Sequence, residues 1–285
     1  MMAKFITKES RPGPGISKDA PEKRRFFLFF EVLGTKFTKL IQLNFTYVLT
    51  LIPLLFGLYF SVSINTANFG KEPLFQINPD YISIIVLVAS VFVTGPATAG
   101  FVYVLRNMQR REHAWVWSDF WTQYKRNFKQ GTAMAAIDLI CYTLLYVAFN
   151  FYMFIMPQDM PQMGNMMPYL ASGVVALITI VFTWAHFYIY TMMVTFELKL
   201  SKILKNSFIF ALGKVPLNIF ITIVIGAILW GCLYVLLYIP FLAALIFGTV
   251  LVSLIGLIIV FSTYSVIDKI MLKRANEEKK RVLKY

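Results

Sequence analysis

The sequence predicts an all-α, polytopic membrane protein with six transmembrane helices and about three interfacial amphipathic helices, arranged in a way that suggests a threefold internal repeat. Three observations predict it. The 285 residues are 58% hydrophobic and 14% charged, where an ordinary soluble domain is about 25% charged. Six apolar runs, at about 40–64, 81–105, 131–156, 168–196, 215–238 and 240–267, each supply the ~20 residues that a helical span needs. Lys and Arg gather between alternate runs, as the positive-inside pattern requires.

Taken in order, the first 39 residues hold nine Lys/Arg and the turn-rich Arg11-Pro12-Gly13-Pro14-Gly15. Residues 1–21 read as a flexible basic tail. A cleavable leader has a short basic stretch and then 7–15 apolar residues. The first apolar run here comes late and is long enough to span, so it is expected to stay as an uncleaved helix. Residues 22–267 form the transmembrane domain and 268–285 a basic tail. The last two runs together make 53 residues, which as one helix would be about 80 Å long against a hydrocarbon core of ~30 Å. The chain must fold back between them, and Pro240 is the natural place.

Loop by loop, loop 65–80 holds one Lys, Lys71; loop 157–167 holds none. The other 26 of the 27 Lys and Arg fall on one side of six alternating spans. The expectation is a multi-pass protein of the cell membrane with both termini and both basic loops in the cytoplasm. The net charge of +13 then records orientation, and a nucleic-acid partner is not expected because no recognisable DNA- or RNA-binding module is present.

Three basic segments carry apolar residues at spacings of three and four. They are Phe26, Phe29, Phe30, Leu33, Phe37 and Leu40; Trp117, Phe120, Trp121, Tyr124 and Phe128; and Leu200, Ile203, Leu204, Phe208 and Ala211. Each makes a helix with an apolar face and a basic one, such as Lys125 and Arg126. Such helices lie in the bilayer interface, apolar side in lipid and basic side toward anionic headgroups. They are expected to be elbows leading into the next span, in units of roughly 22–105, 112–196 and 198–267. The short likenesses around Asn44-Phe45, Asn127-Phe128 and Asn206-Ser-Phe208 suggest how the units align.

The most distinctive stretch is Gly95-Pro96-Ala97-Thr98-Ala99-Gly100. Pro96 is expected to kink the helix, since its ring collides with the Phe92 carbonyl. The small residues let another helix come close; a kink that frees carbonyls can also line a substrate path. Asp138, seven residues into the third span, and His186, within the fourth, are the intramembrane groups that could carry function. For Asp138 the bland alternative is a hydrogen-bonded or protonated carboxyl packing against Thr, Asn or backbone. His186 has no His at i+4 and no obvious carboxylate partner, so an interhelical hydrogen bond is the favoured reading. Intramembrane catalysis would need paired polar residues in facing spans, and Thr98 with His186 is the one combination on offer. Glu197 and Asp268 are expected to pair with Lys199 and Lys269 near the interface.

Cys141 and Cys232 lie in apolar runs with no CxxC spacing, so neither a disulfide nor a metal site is expected. HExxH, GxSxG, Walker and dinucleotide motifs are absent, so no cofactor and no enzyme activity are expected.

The run Gly95–Gly100, then Arg106 to Arg111, then Trp117-Ser-Asp119-Phe120-Trp121 and Lys125-Arg-Asn127-Phe128-Lys129-Gln130 resembles the YesL family of bacterial integral membrane proteins, whose molecular function is unknown. The resemblance runs from about residue 30 and is sharpest over 94–131; the long N-terminal tail is an addition to the family pattern. Family members are often encoded beside carbohydrate-uptake transporters and polysaccharide-degrading enzymes. The resemblance therefore implies an accessory or scaffolding role in carbohydrate uptake or its sensing, with ABC sugar-importer subunits or a sensor kinase as partners. It supplies no catalytic residues. The alternative from the residues themselves is a small transporter or channel with a path near Gly95–Gly100, Asp138 and His186.

Overall fold

The computed structural model describes residues 24–67, 81–159 and 166–272; the predicted tail over 1–21 and most of 268–285 lie outside them. Every regular element among the described residues is helical. In chain order they are α1 (Arg25–Thr35), α2 (Phe37–Ala67), α3 (Tyr81–Gln109), α4 (Val116–Arg126), α5 (Phe128–Asn150, running on through a π turn at Phe151–Ile155 into Met156–Asp159), α6 (Met166–Met193), α7 (Leu200–Gly213), α8 (Val215–Tyr238) and α9 (Pro240–Ile246 and Val252–Ile267, joined by a π turn at Phe247–Leu251 and followed by another at Asp268–Leu272). Six of them, α2, α3, α5, α6, α8 and α9, are long and apolar enough to cross a membrane. The other three are short and precede α2, α5 and α8, so the order short–span–span occurs three times, as predicted.

The three elbows share one backbone device. A single residue separates each short helix from its span: Lys36 (φ −111°, ψ 13°), Asn127 (φ −97°, ψ 13°) and Lys214 (φ −126°, ψ 36°). All three sit in or near the sparsely populated bridge between the helical and extended regions. Each donates its backbone N–H four residues back, to Val32, Gln123 and Phe210, and accepts from four residues on, from Leu40, Gly131 and Asn218. The helical hydrogen-bond ladder therefore survives while its axis turns. This alignment sets Lys36, Asn127 and Lys214 equivalent. The sequence likenesses around Asn44, Asn127 and Asn206 are out of register with it by about two turns and do not mark equivalent positions.

The spans alternate in direction, and the Lys and Arg of the described residues collect at one end of the bundle, called the basic end below. Contacts there tie distant segments together: the Lys39 ammonium donates to the Ala114 carbonyl (2.9 Å), Arg111 pairs with Glu31 (2.9 Å) and Arg25 donates to the Ser265 hydroxyl. α3 is the central span, packed against α2, α4, α5, α6 and α9. Fully buried side chains, among them Leu40, Leu43, Leu105, Met108, Phe120, Tyr188, Met192 and Ile203, crowd toward the basic end. Leu144, Val147, Leu177, Trp230 and Leu237, further from it, are exposed. Apolar exposure of this kind is what lipid covers.

α8 and α9 fold back at Ile239–Pro240, as the length argument required. Leu217, Phe220 and Val224 of α8 line one apolar groove with Ile258, Phe261 and Ser265 of α9. Ile239 (φ −139°, ψ 74°) is the lone turn residue and Pro240 opens α9, where its missing N–H costs nothing. The π turn in α9 leaves backbone groups out of the usual ladder, and Asn44 of α2, fully buried, satisfies two of them. Its amide donates to the Phe247 carbonyl (2.9 Å) and its oxygen accepts the Ser253 N–H (2.8 Å). One polar side chain thus fixes α2 to α9 where neither helix could tolerate an orphaned group in lipid.

Candidate functional site

The Gly95–Gly100 segment is a close helix contact. α3 runs on through Pro96 as one helix. A Cβ added at Gly95 would stand 2.0 Å from the Gly131 carbonyl oxygen of α5, and one at Gly131 would stand 2.7 Å from the Pro96 nitrogen. Backbone meets backbone there, as small residues allow in membrane helices. One turn on, a Cβ at Gly100 would stand 2.6 Å from the Phe120 carbonyl oxygen of α4. Gly95, Pro96 and Gly100 are buried, and Thr98 is half-buried. Thr98 shares a hydrogen bond with Tyr47 of α2 (2.8 Å) and donates to the Thr94 carbonyl (2.8 Å). Its partner is therefore Tyr47 and not His186.

The two intramembrane ionisable groups meet each other. His186 Nε2 lies 2.6 Å from Asp138 Oδ1, joining α5 to α6, with both side chains about four-fifths buried. His186 Nδ1 lies 2.9 Å from the Phe182 carbonyl oxygen. A carbonyl oxygen only accepts, so Nδ1 carries a hydrogen and Nε2 is the atom shared with Asp138. Either Nε2 donates to a carboxylate or it accepts from a protonated carboxyl. The pair therefore holds one proton between two atoms, whichever side it rests on. Phe182 packs edge-on against the imidazole at 4.8 Å, and the Tyr142 ring lies 5.8 Å away. This overturns the expectation that His186 lacks a carboxylate partner, and bears out the hydrogen bond between helices.

The second elbow divides the residues expected along its apolar stripe. Trp117 and Phe128 are exposed, with Lys125 and Arg126; Trp121 and Tyr124 are half-buried. Phe120 is fully buried. It turns inward because Gly100 leaves no side chain in its way. Burial pushes the Tyr124 hydroxyl pKa up. Glu197 pairs with Arg126 (2.9 Å) and not with Lys199: α4 reaches across to the α6–α7 connection, so a partner distant in sequence is nearer than the neighbour.

Arg106 stands in the sequence as one of the basic residues Arg106 to Arg111 that carry the family resemblance, with no partner assigned to it. It belongs to the last turn of α3 and is 8% exposed. It donates to the Val194 carbonyl at the end of α6 (2.5 Å) and to Asn107 Oδ1 (3.2 Å), and lies over the Tyr103 ring at 4.6 Å. Its place in the run Tyr103-Val-Leu-Arg106, continuous with an apolar helix, was the available signal. No group of His, Cys, Asp and Glu able to hold a metal ion occurs among the described residues.

These features define a multi-pass helical membrane protein with interfacial elbow helices. Residues 40–149 match the family described as Protein of unknown function, DUF624, a YesL-type family consistent with the resemblance carried by Gly95–Gln130. The matched stretch covers α2, α3, α4 and most of α5. It includes the Gly95–Gly131 contact, Arg106 and Asp138 but not His186. No curated protein and no solved structure matches the chain.

Proposed function

We propose that this chain is a non-catalytic accessory or scaffolding component of the bacterial cell membrane, linked to carbohydrate uptake or its sensing. Both termini and the three elbows face the cytoplasm, because the Lys and Arg collect at that end. The observation that carries the reading is the backbone-to-backbone seal between Gly95 and Gly131. It occupies the place where a path for a solute was expected. The exposed Trp117, Lys125 and Arg126 leave the second elbow available to anionic headgroups and to a membrane partner. The link to sugars rests on the YesL resemblance alone.

The test is purification of the full chain in mild detergent from its native membrane, followed by mass spectrometry. Stoichiometric recovery of the membrane subunits of an ABC sugar importer, or of a sensor kinase, is the expected result. Recovery of the chain alone, with solute flux when it is reconstituted into liposomes, would overturn it.

The Asp138–His186 pair favours a second reading, a small proton-linked transporter. A proton held between two side chains inside the membrane is the kind of group that such proteins use. In that case flux into liposomes follows an imposed pH gradient and is lost in Asp138→Asn.

A further inference from the structure

A cavity of about 690 Å³ opens at the basic end, between the end of α3, the α4–α5 elbow and the α6–α7 connection. Its lining includes Arg106, Arg110, Arg126 and Lys199 against one carboxylate, Glu197. Arg106 is the centre of the matter. It is nine-tenths buried, no carboxylate pairs with it among the described residues, and its Nε has no hydrogen-bond partner. Its other contacts are neutral: the Val194 carbonyl, the Thr195 hydroxyl (3.4 Å), the Asn107 side-chain amide and the Tyr103 ring. A buried guanidinium without a counter-charge is costly, and one with a free N–H more so.

The other cations can be recruited. Arg110 is held by Glu112 (2.8 Å) and Arg126 by Glu197 (2.9 Å), and all four side chains are more than two-fifths exposed. Exposed pairs of that kind hold weakly. Lys199 is exposed and lines the same space. Guanidinium forks match the geometry of phosphate oxygens, and such charge-assisted bonds are about twice as strong as neutral ones. The volume exceeds what a bare oxyanion needs and falls in the range of small-molecule sites.

We infer that this cavity binds a phosphate-bearing ligand, its phosphate seated on Arg106 and closed over by Arg110 and Lys199. A soluble phosphate ester and the headgroup of a phosphatidic-acid-type lipid present the same dianion. The inference does not depend on the accessory or the transport reading above.

The experiment measures binding to the full chain. In neutral detergent, inorganic phosphate is titrated by calorimetry against chloride at matched ionic strength. In a second arm, the chain is placed in nanodiscs of phosphatidylcholine with and without one-tenth phosphatidic acid, and its melting point is read. Saturable phosphate binding identifies a soluble ligand; stabilisation by phosphatidic acid without phosphate binding identifies a lipid one. Either effect should weaken about tenfold or more in Arg110→Gln/Lys199→Ala, whose sites are exposed and leave the fold intact. It should persist in Lys202→Ala, an exposed lysine outside the cavity lining. Arg106→Lys, which keeps the charge but loses the fork, should weaken it as well. Absence of both effects, or equal loss in Lys202→Ala, would overturn the inference.

Discussion

Gly95→Ala tests the central packing claim most directly. The added methyl carbon would lie 2.0 Å from the Gly131 carbonyl oxygen, 2.5 Å from its carbon and 2.9 Å from the Ala135 Cβ. Two of those three atoms are backbone, so no rotamer change relieves the clash. Restoring even a 3.0 Å separation moves α5 away from α3 by about 1 Å, across a contact that also fixes the start of the third span. Overpacking of a filled interior costs typically 1–3 kcal/mol, and a backbone clash belongs at or above the top of that range. The structure predicts a graded series. Gly95→Ala and Gly100→Ala, which meet backbone, should destabilise most. Gly256→Ala should cost less, because its neighbours are the ends of the Phe101 and Leu105 side chains at 2.5–2.8 Å. Gly173→Ala, with nothing within 4 Å, should be neutral or stabilising by up to about 1 kcal/mol through helix propensity. Thermal unfolding in detergent, followed by size-exclusion chromatography of the survivors, gives the order. Equal melting of Gly95→Ala and Gly173→Ala would refute the reasoning.

Asn44→Ala should lower stability by about 2–4 kcal/mol, since it orphans the Phe247 carbonyl and the Ser253 N–H together; hydrogen exchange at Ser253 should rise with it, and unchanged exchange would count against the π-turn clamp. Asp138→Ala and His186→Ala should be non-additive by about 1–3 kcal/mol in a double-mutant cycle, whereas Asp138→Asn keeps a hydrogen bond to Nε2 and should melt within about 1 kcal/mol of the parent chain. Phe120→Ala should cost about 3–5 kcal/mol, while Trp117→Ala, exposed on the same elbow, should leave the melting point unchanged and weaken only association with anionic vesicles. Arg111 has φ 58°, a left-handed conformation that costs a non-glycine residue about 1–2 kcal/mol, and its pair with Glu31 is exposed, so Arg111→Gly should hold or raise the melting point. Finally, with Cys141 and Cys232 replaced by Ala, Lys202→Cys should be labelled by an impermeant maleimide only after spheroplasts are opened; labelling of intact spheroplasts would reverse the proposed orientation.

What was legible in the sequence was whatever depends on period and length. Six apolar runs, the fold-back at Pro240 and the three elbow helices all follow from local pattern, because lipid exposure punishes any departure from it. The elbows were placed within a few residues, since apolar and basic positions alternate there at helical spacing. The same periodicity could not say which residue of the stripe turns inward. Phe120 and Trp117 occupy similar positions on it, and only the missing side chain at Gly100, on another helix, decides that Phe120 is buried.

Pairing across helices was hidden for the same physical reason. Asp138 and His186 are 48 residues apart, each seemingly alone in its own apolar run, and each alone would be a costly group in lipid. Two such residues in neighbouring spans, at compatible distances from the basic end, answer one another's cost, and that complementarity is visible only when depth is compared between spans. Arg106 poses the same question with one half missing. It sits where the helix leaves the apolar core, beside the ends of α6 and α4, and no carboxylate among the described residues answers it. Of the five buried side-chain polar atoms without a hydrogen-bond partner among the described residues, the one that belongs to a charged group is Arg106 Nε, and its side chain lines a cavity of about 690 Å³. The consistent reading is that the missing partner is a ligand, which is why phosphate binding, rather than stability, is the measurement that bears on what this site is for.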